Sequence, residues 1–300
     1  MKKVNAFIGI TFLLTWIMAF GLMLNGGYQN PYASLVIVGC MFMPAIATII
    51  TTLISKEKFK DVWIKPNLKG NIKYYIIAWI VPVLLIVVGV VIYYLIFPSQ
   101  FDGSMSNMIN STKNQLIGLG KAVPTDSQIK LMLIVQIITS IFIAPVVNFI
   151  PCLGEELGWR GYLLPNLSKK YSLVKATLIT GVIWGIWHAP MIAMGHNYGL
   201  RYITAPWGGI FAMTIFCVCL GSLFSYVTIK TKSCIPAVIG HAMINGFSAV
   251  GIMFISIDNP NPFIGPMPIG IIGGFGVVIA GIICFRLISK INNEDESYNC

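Results

Sequence analysis

Long apolar runs separated by short polar segments set the pattern of this chain. A membrane-crossing helix needs about 20 predominantly apolar residues at about 1.5 Å rise per residue. Eight stretches reach or approach that length: Val4 to Leu24, Pro31 to Ile54, Tyr74 to Phe97, Leu131 to Ile150, Ala176 to Met194, Trp207 to Ile229, Cys234 to Ile257 and Phe263 to Ile288. The pattern predicts an all-α, polytopic transmembrane bundle of about eight spans with no soluble domain. The first run follows Lys2 and Lys3 as a signal peptide would, but it is too long for an h-region and no small-x-small cleavage site comes after it. It reads as a retained anchor.

The fourth run does not pass smoothly into the acidic segment beyond it. Pro145 and Pro151 each remove a backbone donor, and Gly154 weakens a helix further. A break is expected near Pro151, with a new helix starting there. That helix would place Glu155 and Glu156 close to its N-terminus, where the macrodipole favours negative charge.

Composition supports the membrane reading. The chain is 56% apolar and 10% charged, with a mean hydropathy of +0.81, against about 25% charged residues in globular domains. A net charge of +10 would suit nucleic acid only if it were gathered on one face or helix. Here the lysines punctuate apolar runs, so no nucleic-acid partner is expected and the charges report orientation instead. Of the 20 Lys and Arg, four (Lys113, Lys121, Lys130 and Arg201) fall on one side of the alternating spans and sixteen on the other. Both termini are therefore expected in the cytoplasm, with Pro98 to Gln128 a long polar loop outside. Asn110-Ser111-Thr112 in that loop matches a glycosylation sequon. The seven cysteines (Cys40, Cys152, Cys217, Cys219, Cys234, Cys284 and Cys300) show no paired CxxC spacing and read as small buried hydrophobes. Glu294 to Glu296 read as a solvated tail, and the terminal cysteine comes last, which is not a prenylation signal.

Ten residues are acidic, and only Glu155 and Glu156 press against membrane-length apolar sequence. An unpaired charge in hydrocarbon costs at least about 2.5–3.5 kcal/mol, so such residues face one another or a wet cavity. Glu156 and Arg160 are four apart and share a helical face, whereas Glu155 points about 100° away. Glu156 is expected to be paired and structural, Glu155 to face a cavity. The bland alternative is that both acids cap and solubilise an interfacial helix. His188 and His241 lie inside apolar runs, each one turn from a second notable residue: Trp184 with His188, and His241 with Asn245. His196 falls in the loop after the fifth run and reads as solvated. One converging site explains these polar groups better than separately tolerated costs.

A carboxylate and an imidazole together can deprotonate a water, and a histidine with an amide donor can stabilise an oxyanion. That is equipment for amide hydrolysis without a covalent nucleophile. Glu155, His188 and His241 also make up a two-histidine, one-carboxylate zinc set with water in the open position. There is no HExxH, so spacing does not establish a metal.

Taken in order on successive spans, Glu155-Glu156-x-x-x-Arg160, Trp184-x-x-x-His188 and His241-x-x-x-Asn245 resemble the CPBP (Abi) family of intramembrane proteases, which includes type 2 CAAX prenyl proteases and bacteriocin-processing proteins. The resemblance covers roughly Leu131 to Ile257, including Gly161-Tyr162-Leu163-Leu164-Pro165. It implies an endopeptidase buried in the membrane, of bacterial type, and open towards the cytoplasm. Glu155 and His188 would activate water, His241 and Asn245 would stabilise the oxyanion, and Glu156 and Arg160 would be the supporting pair. Trp184 stands where the family usually has phenylalanine and keeps an aromatic wall. On this basis residues 1–130 form three N-terminal spans with a basic and a polar loop, 131–257 a protease-like core, and 258–300 a last span and tail. The implied cofactor is either a divalent metal such as zinc, held by Glu155, His188 and His241, or none. The implied partner is a membrane-associated peptide or protein, lipidated in some relatives, met within the bilayer. One point of depth conflicts. Counted at about 1.5 Å per residue, His188 lies about 18 Å along its span from the cytoplasmic end, whereas His241 lies only a turn or two from the start of its own. Strong tilt or local thinning would reconcile them. Two other readings remain: a non-catalytic bacteriocin-immunity or scaffolding protein on the same fold, and an ion-coupled transporter, whose repeated halves are not evident here.

Overall fold

A computed structural model describes the backbone of residues 1–297 and the side chains of residues 1–291. Cys300 and the side chains of Glu294–Glu296 lie outside the described residues. Among those described there is no strand, only a bridge between Phe101 and Ile255. The helices are α1 (Lys2–Leu24), α2 (Ala33–Ile54), α3 (Ile72–Ile96), α4 (Ser106–Gly118), α5 (Asp126–Val147), α6 (Phe149–Glu156), a π-helical stretch (Leu157–Leu163), α7 (Leu164–Ser168), α8 (Leu173–Trp187), α9 (Ala189–Ala193), α10 (Trp207–Thr231), α11 (Ile235–Phe247) and α12 (Phe275–Ser297). A 3₁₀ stretch, Ser248–Phe254, prolongs α11.

Seven helical segments among the described residues are long and apolar enough to cross a membrane. This is an integral, multi-pass membrane protein. Burial sorts the spans into two shells. The most apolar windows of α1, α2, α3 and α5 are only 22–28% buried, whereas those of α8–α9, α10 and α11 are 50–61% buried. The latter three form the centre, and the others wrap them. Their outward faces carry exposed Leu13, Ile17, Leu84, Val88 and Ile138. Lipid is as apolar as leucine, so such a face has no core to seek.

Three boundaries differ from the pattern reading. The outer loop is not all coil: α4 packs Ile109 with Met105 against Ile129 and Leu133 of α5. That contact lets α5 begin at Asp126, behind a capping box in which Thr125 and Gln128 satisfy each other's backbone donors. The eighth run splits, because Gly265, Pro266, Pro268 and Gly270 break residues 263–274 into turns, and helix begins only at Phe275. The fourth-run break falls at Asn148, not Pro151. A proline is tolerated in a helix's first turn, where its missing N–H would be unbonded anyway, so Pro151 sits inside the start of α6. Glu155 and Glu156 therefore end α6 rather than begin it, and the macrodipole is not what holds them.

The connector between α2 and α3 crosses the lysine-rich end of the bundle. Trp63 N–H donates to the Gly161 carbonyl at 2.9 Å, its own carbonyl accepts from Cys234 N–H at 2.7 Å, and Asn67 donates to the Thr231 carbonyl at 3.0 Å. Ser233 and Cys234, at the start of α11, are fully buried beneath this connector, whereas Ser172 and Lys175, at the start of α8, are exposed. His188 and His241 line one cavity although they lie at different distances along their helices.

Candidate active site

Glycines bring the site's helices together. A Cβ on Gly154 would lie 2.6 Å from the Met41 carbonyl oxygen, and one on Gly158 would lie 2.4 Å from Pro44, so α6 and the π stretch press directly on α2. On α8, a Cβ on Gly181 would lie 2.8 Å from Val218 Cα and one on Gly185 2.4 Å from Thr214 Cα, which seats α8 on α10. Both pairs are small-xxx-small contacts of the membrane kind. They fix Glu155 on one side of a gap and His188 on the other.

The two acids diverge. Glu156 is fully buried, with Arg160 Nη1 3.0 Å from both carboxylate oxygens. The same Glu156 Oε1 lies 2.9 Å from His241 Nδ1. The Arg160 guanidinium lies over the Trp184 ring at 4.5 Å and the Phe224 ring at 5.4 Å. Those π faces compensate its Nε and Nη2, which have no hydrogen-bond partner among the described residues. Gly221 makes room, since a Cβ there would come within 2.6 Å of Arg160 Nη2.

Glu155 instead lines a cavity, together with His188, His241 and Asn245. Its Oε2 accepts a 2.8 Å hydrogen bond from Trp184 Nε1–H. The carbonyl of the same tryptophan lies 2.8 Å from His188 Nδ1. A carbonyl only accepts, so Nδ1 carries the proton and Nε2 is the free lone pair of the neutral ring. Trp187 packs edge-on to His188 at 4.7 Å and is itself tied to α1 through Thr15 Oγ1 at 2.8 Å. His241 sits between Trp184, 5.3 Å away, and Phe224, 5.8 Å away. Asn245 is exposed to the cavity and donates to Cys152 Sγ at 3.6 Å. The cavity has a volume of about 310 Å³ and runs from these residues to His196, Asn197 and Met267–Ile269. His196 is thus not a freely solvated loop residue: it is half-buried at the cavity and its Nδ1 lies 2.8 Å from the Tyr28 hydroxyl.

The zinc set of the pattern reading is not assembled. Among the described residues no three His, Cys, Asp or Glu side chains are grouped to hold a metal ion. His241 Nδ1 is engaged by Glu156 rather than aligned with Glu155. The donor set does not fit a metal as it stands.

Residues 133–247 match the family model described as type II CAAX prenyl endopeptidase, Rce1-like. The chain is also 29% identical over 241 residues to CAAX prenyl protease 2 of Methanococcus maripaludis, a match that covers 78% of this chain and 80% of that protein. Over these stretches the chain is similar to CAAX prenyl proteases, and the two matches support a membrane protease.

The matched part of the chain runs from within α5 to the end of α11 and contains all seven residues singled out by spacing. Pattern reasoning missed Phe224, Gly221 and the two glycine pairs. Gly154-x-x-x-Gly158 and Gly181-x-x-x-Gly185 were readable as small-xxx-small signals, whereas Phe224 is one apolar residue among many on α10.

Proposed function

We propose that this protein hydrolyses a peptide bond with a water held between Glu155 and His188. Glu155 Oε1, which the Trp184 bond to Oε2 does not engage, accepts the water's proton as the hydroxyl attacks the scissile carbonyl. His188 Nε2 holds the second side of that water, its ring fixed through Nδ1–H. His241 and Asn245, one helical turn apart on the same cavity, serve as donors to the oxyanion when the His241 ring carries protons on both nitrogens. Glu156 and Arg160 hold His241 and Trp184 and do not touch substrate. The proton taken by Glu155 then passes to the departing amine. The observation that carries this reading is the Trp184 relay, which engages one oxygen of Glu155 and one nitrogen of His188 where both side chains line the cavity.

The substrate we propose is a membrane-associated peptide or protein segment. Cleavage next to a membrane anchor, lipidated or not, is what carries over from the relative named a prenyl protease; the prenyl group itself is not carried by any feature of this cavity. The test is cleavage of a membrane-anchored fluorogenic peptide by purified, reconstituted protein. His188→Ala should lower kcat by about 10²–10⁴-fold, the usual worth of a positioned acid–base group. A non-catalytic immunity or scaffolding protein would show no cleavage to lose, and a purely structural His188 would leave kcat unchanged.

A further inference from the structure

We propose that a groove between α3, α10 and α12 binds one anionic phospholipid, with an acyl chain along the groove and the phosphate held by Lys73, Lys230 and Lys290. The site lies outside the catalytic cavity and does not depend on the peptidase reading.

The groove has a volume of about 500 Å³ and is lined by residues of α3 between Ile77 and Val88, residues of α12 between Phe275 and Leu287, and Leu223 and Tyr226 of α10. Its lining is apolar except for the Tyr226 hydroxyl and the Cys284 thiol. At about 1.5 Å per residue the lining runs about 16–18 Å along α3 and α12, close to one leaflet of a hydrocarbon core about 30 Å thick. A slot of that depth and character suits an acyl chain. Its far end narrows where α12 presses on α3: a Cβ on Gly276 would lie 2.9 Å from the Leu85 carbonyl oxygen, and one on Gly89 would overlap that of Gly273.

At the other end each helix carries a lysine one turn beyond its last lining residue. Lys73 comes four before Ile77, Lys230 four after Tyr226 and Lys290 three after Leu287. Residues three or four apart share a helical face, and α3 runs antiparallel to α10 and α12, so the three lysines stand around one mouth of the groove. Lys73 and Lys290 are exposed and Lys230 is half-buried. Among the described residues none of the three is in an ion pair or hydrogen bond, and no described side chain of α3, α10 or α12 is acidic. Tyr74 and Tyr226 pack ring to ring there at 6.1 Å, the kind of aromatic belt that marks headgroup depth. A basic mouth between membrane helices is the form of an anionic headgroup site. The other cavity at the lysine-rich end, also of about 500 Å³, mixes Lys58, Lys60 and Lys169 with Glu57 and Asp61, so its charges largely cancel.

Native mass spectrometry of the purified full chain, released from mixed micelles of phosphatidylglycerol and phosphatidylcholine with the same acyl chains, reads the retained lipid. Each lysine beside an anionic lipid is worth about fivefold, so the wild type should retain one phosphatidylglycerol with roughly 10²-fold preference. Lys73→Gln, Lys230→Gln and Lys290→Gln combined should bring that preference close to unity, with phosphatidylcholine still bound. Lys58→Gln, Lys60→Gln and Lys169→Gln combined, which remove the same charge at the same end, should leave it in place. Ala280 is half-buried in the lining, and Ala280→Trp should expel the retained lipid of either kind; Ile283→Trp, at an exposed lining position, is the second filler should the first not fold. A preference that survives the first triple variant or falls equally in both overturns the proposal, as does phosphatidylglycerol retained by the fillers. Glycerol phosphate that displaces phosphatidylglycerol at equal concentration would mean that phosphate alone is bound, and overturns it too.

Discussion

The indole Nε1–H of Trp184 donates to Glu155 Oε2 at 2.8 Å while the carbonyl of that residue holds His188 Nδ1 at the same distance. One tryptophan therefore orients both members of the proposed water-activating pair, and its ring carries Arg160 as well. Trp184→Phe keeps the ring and the backbone carbonyl but removes the N–H. A buried hydrogen bond to a charged group is worth about 1.5–3 kcal/mol, or about 10–100-fold. The variant should lose about that much kcat with little change in KM, because substrate is not what the indole touches. An unchanged kcat would reduce Trp184 to a wall of the cavity.

Gly158 has Pro44 where its side chain would be, at 2.4 Å. Gly158→Ala should destabilise the protein by about 1–3 kcal/mol through overpacking, read as a lower Tm in detergent or lipid. Gly118→Ala, where nothing lies within 4 Å, is the matched control and should leave Tm within error or raise it.

These two cases show what the sequence carried and what it hid. The Glu156–Arg160 and Trp184–His188 pairs were legible because a helix turns the spacing of four into shared contact. The partner of His241 was not, since Glu156 lies 85 positions away and no local period brings it near. The Asn148 break and the late start of α12 were misplaced for the same kind of reason. Mean hydropathy registers the apolar residues of 263–274 but not the prolines and glycines that stop them forming a helix. The tie of the α2–α3 connector through Trp63 rests on backbone bonds to Gly161 and Cys234, which no side-chain pattern reports.

Glu57 lies in the connector outside the spans, paired with Lys3 and accepting from the Tyr162 hydroxyl at 3.1 Å. Burial raises its pKa, but the Lys3 and Tyr162 hydrogen bonds and the nearby positive charges outweigh it and hold the carboxyl below its ordinary 4.5. A depressed folded-state pKa gives stability that is present in full above the ordinary value and lost as pH falls through the folded one. Glu57→Gln should therefore lower Tm at neutral pH, and the gap from wild type should close as pH falls below about 4.5. A gap that persists unchanged in acid would mean that Glu57 acts by packing alone.

Glu155, His188 and His241 are not grouped as metal ligands, and the proposed water activation uses only their own atoms. Exhaustive chelation of the purified protein, followed by metal analysis, should leave cleavage within about twofold, well short of the 10²–10⁴-fold contributed by a positioned base. Loss of activity restored by one equivalent of zinc would replace Glu155 as base with Glu155 as ligand.

Adjacent acids with separate duties are the core of the account, and comparing Glu155→Gln with Glu156→Gln in one cleavage and melting experiment tests it most directly. Glu155→Gln should lower kcat by about 10²–10⁴-fold with Tm held. Glu156→Gln should lower Tm by the loss of a buried pair, about 3–5 kcal/mol, because Arg160 and His241 lose their shared carboxylate. Cleavage that survives Glu155→Gln within a few-fold, in a protein that still melts as the wild type does, would contradict the mechanism.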